Sequence, residues 1–126
     1  MKAKHIMNRH VVAARLEMTV AEVDELLVGH HISGLPVLDE HGRVVGIFSL
    51  TDAVARGGRT VREAMTAPAI CVEDDCPIEE VAALLAAKDI NRVPVLHEGR
   101  LVGIISRTDI VRYVATKWAW HEAHQG

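Results

Sequence analysis

Only two cysteines, Cys71 and Cys76, occur in the 126-residue chain, both in the stretch CVEDDC. Two are too few for a disulfide framework, and their spacing is not that of a Cys-x-x-Cys redox or zinc element, so they read as small, half-buried hydrophobes. No run of basic residues appears, and 14 Lys and Arg against 17 Asp and Glu leave a net charge of −3. A nucleic-acid-binding face carries clustered Lys and Arg, so no nucleic-acid partner is expected. No apolar stretch approaches the roughly 20 residues that span a bilayer. The opening MKAKHIMNRH lacks the apolar core of a signal peptide. No membrane association is expected, and a cytoplasmic location is. A P-loop, a glycine-rich dinucleotide fingerprint and a nucleophile–base pairing are also missing, which argues against an enzyme; no catalytic residue is assigned. What remains is 49% hydrophobic and 25% charged, the composition of a folded globular protein.

What the chain does have is a repeat. Val20 to Asp39 matches Ile78 to His97 at an offset of 58 in 8 of 20 positions, and Gly42 to Val54 matches Gly99 to Val111 at an offset of 57 in 9 of 13. The offset drops by one where DEHGR becomes HEGR, a deletion that a hairpin turn tolerates. Repetition on this scale decides the architecture.

Each copy carries the same succession of elements. A short apolar segment, Val11 to Ala14 or Ile70 to Val72, precedes an amphipathic helix. In the first copy that helix opens on a capping box, Thr19 with Glu22, and carries Val20, Val23, Leu26 and Leu27 on one stripe. In the second, Pro77 takes the helix-opening position and Ile78, Val81, Leu84 and Leu85 repeat the stripe. LPVLDEHGRVVGIFS and VPVLHEGRLVGIIS each give two β-rich runs about a turn, and a second helix follows. The expected fold is α+β: two β-α-β-β-α repeats packed with pseudo-twofold symmetry, residues 1–58 and 59–126, the latter with a C-terminal helical tail. Gly57 and Gly58 are expected to break the first copy's last helix. One copy alone buries only about 60% of its unfolded surface, so duplication first serves stability.

HIMN and EAMT, each ahead of a capped helix, followed by HISGLPVLDEHGRVVGIFSLTDAV and DINRVPVLHEGRLVGIISRTDIV, closely resemble the cystathionine β-synthase (CBS) domain. The resemblance covers nearly the whole chain and implies a tandem pair, or Bateman module, with no separate catalytic domain. It further implies a non-catalytic sensor of adenosine-containing ligands (AMP, ADP, ATP, NAD or S-adenosylmethionine), bound in clefts between the copies. It implies a homodimer, no required cofactor, and an effector protein that the sequence does not identify.

The family's ligand motif, Ser/Thr-x-x-Asp, is matched by Ser49, Thr51 and Asp52 and by Ser106, Arg107, Thr108 and Asp109. Its chemistry is apt: a carboxylate accepts two hydrogen bonds from vicinal ribose hydroxyls, and hydroxyls at a helix N-terminus meet phosphate oxygens. The same spacing is also a helix cap, as Thr19 with Glu22 and Thr60 with Glu63 are read to be, and the two roles are compatible. Leu35-Pro36 and Val93-Pro94 match the apolar-Pro element that lines the family's adenine slot; read without the family, each is simply a strand start. Arg92 stands where many members direct a basic residue at phosphate. Arg107 either adds to that charge or lies on a solvated face. The first-strand Thr of many members is replaced by Ala13 and Cys71.

Eight histidines invite a metal reading, but His121 and His124 lack the His-Glu-x-x-His spacing and no metal ligand is assigned; His30 and His31 are read as closing a helix. Three of the chain's four aromatic residues, Tyr113, Trp118 and Trp120, lie in the tail. The tail is expected to extend the last helix and to contribute to a dimer contact, because aromatics two apart do not share a helical face.

Overall fold

The computed structural model describes residues 1–56 and 59–124. In chain order the elements are α1 (Ala3–Ile6), β1 (Ala14–Arg15), α2 (Val20–His30), β2 (Gly34–Leu38), β3 (Val44–Ser49), α3 (Leu50–Arg56), α4 (Val61–Ala64), β4 (Val72–Glu73), α5 (Ile78–Ala87), β5 (Arg92–His97), β6 (Arg100–Ser106) and α6 (Arg107–Ala123). They form two three-stranded sheets, β1-β2-β3 and β4-β5-β6, so the α+β duplication read from the sequence is the observed fold. The first strands are shorter and later than the apolar segments that announced them. The tail does extend α6, to Ala123. Gly57 and Gly58 lie outside the described residues.

The capping box at Thr19 forms as expected. The Glu22 N–H donates to Thr19 Oγ1 at 3.1 Å, and Glu22 Oε1 accepts from the Thr19 N–H at 3.3 Å. Helix α2 ends at His30, with His31 in the left-handed region at φ 54°. Pro77 requires a correction: it is the N-cap residue of α5, with extended ψ of 142°, and Ile78 opens the helix. A proline preceding the first helical residue costs nothing, because that N–H has no helical acceptor.

The one-residue deletion is explained by two different turns. In the first copy the Gly42 N–H donates to the Asp39 carbonyl at 3.0 Å, and Gly42 takes φ 78°. The Asp39 carboxylate closes the loop by accepting from the Arg43 and His41 N–H groups at 2.9 and 2.8 Å, which holds its pKa below the usual value. The second copy turns in two residues, Glu98 and Gly99, both at positive φ, the signature of a tight hairpin whose twist suits its strands.

Helix α1 was not foreseen, and α4 was announced only by its Thr60–Glu63 cap; the segments that carry them mark how the chain divides. One compact unit comprises His10–Ile70 with Gly99–Leu101; the other comprises Met1–Arg9, Cys71–Glu98 and the residues from Val102 on. The opening segment of each sequence copy thus belongs to the body of the other. In the first unit the Val61 and Arg62 N–H groups donate to the Met18 and Leu16 carbonyls, and Thr66 pairs with Ile47 on the outer edge of β3. In the second, the Ala3 and Lys4 N–H groups donate to the Cys76 and Asp74 carbonyls, and Asn8 pairs with Ile104. The first unit's core joins Val23, Leu27, Leu35, Val37 and Phe48 to Val61 and Ala64 of α4.

Each opening segment also explains a glycine. A Cβ on Gly46 would lie 2.6 Å from Met65 Sδ and 2.9 Å from the Thr66 carbonyl oxygen; on Gly103 it would lie 2.5 Å from Met7 Sδ. The methionine of each opening tetrapeptide lies against the glycine of the hairpin strand, and only hydrogen fits between them.

Candidate functional site

In each unit the chain leaves the last hairpin strand and turns directly into a helix, and the corner is tied to the turn before the preceding strand. The Leu50 N–H donates to the Ser33 carbonyl at 3.1 Å, and the Arg107 N–H to the Asn91 carbonyl at 2.9 Å. These bonds set the two Ser-x-x-Asp corners beside the starts of β2 and β5, where Leu35-Pro36 and Arg92-Val93-Pro94 stand. The sequence-predicted residues of each copy are therefore gathered in one place within their own unit.

Both corners are reciprocal caps. Asp52 Oδ2 accepts from the Ser49 N–H and Oγ at 3.1 and 3.2 Å, while the Asp52 N–H donates to Ser49 Oγ at 3.3 Å. Asp109 Oδ2 accepts from the Ser106 N–H and Oγ at 2.8 and 3.1 Å, and the Asp109 N–H returns a bond to Ser106 Oγ at 3.2 Å. The Thr60–Glu63 box is built alike, with Glu63 Oε1 accepting from the Thr60 Oγ1 at 2.9 Å. The environment differs: the two Ser–Asp boxes are half-buried, whereas those at Thr19 and Thr60 are exposed. In the first unit Asp52 Oδ1 also accepts from Thr66 Oγ1 at 3.0 Å. Among the described residues no donor reaches Asp109 Oδ1. Thr51 and Thr108 stand exposed on the first helical turns.

Leu35, Pro36, Val93 and Pro94 are fully buried. Pro36 is tolerated in a central strand because Ile47 opposite it directs both its N–H and its carbonyl to Thr66. That makes the pair a non-hydrogen-bonded one, where β3 makes no claim on the missing N–H. β1 pairs only with Val37 and Leu38. Arg92 is half-buried at the start of β5, and burial holds its guanidinium below its ordinary pKa.

Arg107 is engaged with helix α5. Its Nε donates to the Ile90 carbonyl at 2.8 Å and its Nη2 to the Leu85 carbonyl at 3.1 Å, with the Asp89 carboxylate 3.4 Å away. Ala13 and Cys71 are half-buried; burial, and then the Glu73 charge, push the Cys71 thiol pKa up. Among the described residues no three His, Cys, Asp or Glu side chains converge to hold a metal ion.

Two clefts were missed from the sequence. One, of about 640 Å³, lies in the first unit at the Leu38 end of the sheet, away from the Ser49 corner; Arg15, Asp39, Arg43 and Arg62 are among its lining residues. Glu17 Oε1 lies 2.6 Å from Arg62 Nη2 there, so its charges largely answer one another. The other, of about 450 Å³, lies between α5 and α6 and is lined by Ile78, Glu79, Ala82, Ile110, Tyr113, Val114, Lys117 and Trp118. Long-range charge pairing leaves no periodic signal, but the second cleft follows from Tyr113, Val114 and Trp118 recurring along α6.

A CBS domain model matches residues 3–57 and again residues 61–116. The chain belongs to the CBS domain family. The CBS domain pair of protein MJ0100, solved in complex with 5′-methylthioadenosine and S-adenosyl-L-methionine, superposes with a TM-score of 0.86 at 33% identity over 93% of this chain and 98% of that one. CBSX2 of Arabidopsis thaliana, solved in complex with AMP, gives a TM-score of 0.86 at 27% identity over 92% of this chain and 97% of that one. The L-aspartate semialdehyde sulfurtransferase of Methanocaldococcus jannaschii is 34% identical over 90% of this chain, which covers 23% of that enzyme. The chain spans less than half the length of the curated relatives it matches. No helix among the described residues is long and apolar enough to cross a membrane.

Proposed function

We propose that this CBS pair is a non-catalytic regulatory module that binds an adenosine-containing ligand at its two Ser-x-x-Asp corners and acts as a homodimer on an effector protein. The observation that carries the reading is the likeness over nearly full length to two CBS pairs solved with adenosine compounds, MJ0100 and CBSX2. The corners supply suitable chemistry. Ser49, Thr51 and Asp52, with Ser106, Thr108 and Asp109, place hydroxyls, amides and a half-buried carboxylate at a helix start beside the apolar-Pro strand entrances. The carboxylates are the ribose acceptors, the hydroxyls and Arg92 face phosphate or an equivalent polar substituent, and Leu35-Pro36 and Val93-Pro94, fully buried, support the strand entrances from beneath. The ligand is AMP, ADP, ATP, NAD, S-adenosylmethionine or 5′-methylthioadenosine, and no cofactor is required.

Thermal melts with each of these ligands test the reading, on the wild type and on Asp52→Ala and Asp109→Ala. A ligand at 100 times its dissociation constant stabilises the folded state by about 2.7 kcal/mol. Removing a carboxylate that holds two ribose hydroxyls costs about 2 to 4 kcal/mol of affinity. Melting temperatures that stay unchanged at millimolar concentrations of all six would leave only caps at these corners, the mark of a purely structural pair.

A further inference from the structure

The two corners differ at one residue, Leu50 against Arg107. We propose that Arg107 is a positioning residue of the second half-site rather than a phosphate contact. It fixes the turn that delivers Arg92, Val93 and Pro94 to the Ser106–Asp109 corner, and so makes the two half-sites unequal. This rests on the ligand-binding reading above.

The turn after α5 has to be held. Asp89 sits in the left-handed region at φ 51°, a conformation unfavourable for a side-chain-bearing residue. The Leu85 carbonyl already accepts the Ile90 N–H at 3.1 Å. Arg107 closes over the same turn. Its Nε and Nη2 take the Ile90 and Leu85 carbonyls together, and Asp89 adds an exposed ion pair. Two carbonyls held by one rigid fork need the fixed geometry of a guanidinium, which an ammonium does not provide. With the Arg107 N–H on the Asn91 carbonyl, one residue ties the ligand corner to three carbonyls of the last turn of α5 and the turn that leads into β5. The first copy makes the equivalent left-handed turn at His31, φ 54°, with Leu50 at the corner, 46% exposed. Its strand entrance is held by the backbone bond to Ser33, with no guanidinium clasp from the corner residue.

The test is calorimetric titration of the full chain in an Asp52→Ala background, so that the second half-site is read, with 5′-methylthioadenosine, AMP and ATP. Arg107→Leu installs the first copy's residue; Arg107→Lys keeps the charge without the fork, and carries the comparison if the leucine variant does not fold. Titration below the onset of melting reads the affinity of folded protein, which a merely structural role leaves unchanged. A positioning role predicts that both variants weaken all three ligands by the same factor, about 2- to 30-fold. A loss that grows from 5′-methylthioadenosine to ATP and is rescued by lysine overturns the proposal, making Arg107 a phosphate contact. Unchanged affinities overturn it as well. If unsubstituted protein binds none of the three, the ligand-binding reading itself falls, an outcome seen before any Arg107 variant is made.

Discussion

At the scale of single residues, the Ser-x-x-Asp corners are reciprocal caps, a duty that sequence spacing does not separate from the ligand contact proposed for them. Ser106 and Asp109 exchange bonds across the first turn of α6, so removing either partner loses the same box. Ser106→Ala and Asp109→Ala should each lower stability by about 1 kcal/mol, and the double variant by little more than one of them, because the two losses are one interaction counted twice. Urea midpoints check this without ligand; summed losses would show that the box is not reciprocal. The glycines make a sharper case. Gly46→Ala and Gly103→Ala push a methyl group into Met65 and Met7, and each should cost about 1 to 3 kcal/mol as an overpacking change, against near-neutrality for Gly29→Ala, where a Cβ meets nothing within 4 Å. The identity of Gly46 and Gly103 was legible as a repeated letter. Its reason was not, because the methionine that demands it lies 19 residues downstream in one copy (65 − 46) and 96 upstream in the other (103 − 7), beyond any local periodicity.

At the scale of elements, the helices with a stripe and a box, and the hairpins with their turn glycines, were legible because their signals are local: Thr19 with Glu22 over four residues, Gly42 and Gly99 at a single left-handed position. Helix α1 was not, and α4 only through its Thr60–Glu63 cap, because four residues carry no stripe and what holds both is backbone bonding to distant carbonyls at Cys76, Asp74, Met18 and Leu16. The consequence is a prediction about fragments. Residues 1–58 contain a complete sequence copy but omit Val61 and Ala64, which are fully buried in the first unit's core; residues 10–70 omit α1 and keep them. The 10–70 fragment should retain more structure by circular dichroism, and the reverse order would mean that α4 is dispensable to that core. A second lock joins the β5 turn to β4, where His97 Nδ1 lies 3.1 Å from Asp74 Oδ2. Hydrogen bonding and the charge of Asp74 raise the His97 pKa. Its contribution is therefore complete below the unfolded value of about 6.5 and is lost as pH rises through the higher folded value. The melting-temperature difference between wild type and His97→Asn should be larger near pH 5.5 than at pH 8.5; a difference that is flat with pH would show that the imidazolium gains nothing from Asp74.

At the scale of the whole molecule, five of the seven large apolar residues left in water among the described residues lie on the helices that follow the Ser-x-x-Asp corners, the other two being Met1 and Val28. Val54 on α3 is 88% exposed and Val111, its counterpart on α6, is 65% exposed; Trp118, on the rim of the α5–α6 cleft, is 61% exposed. Isolated exposed apolar residues need no explanation. Here, however, the same valine recurs in both copies, and in α6 it shares a helix with a cleft carrying a tryptophan, a residue type enriched where interfaces concentrate their energy. Those helix faces are the surface proposed for self-association. Light scattering should return twice the chain mass of 13.8 kDa for the wild type, and close to the single-chain mass for Val111→Glu and Trp118→Glu, because a carboxylate buried without a partner costs several kcal/mol. Both variants leave the Ser106–Asp109 box in place, so ligand-induced stabilisation should persist in the monomer if each half-site is complete within one chain. A wild type that is already monomeric would move these faces from a homodimer to the effector as the partner they fit.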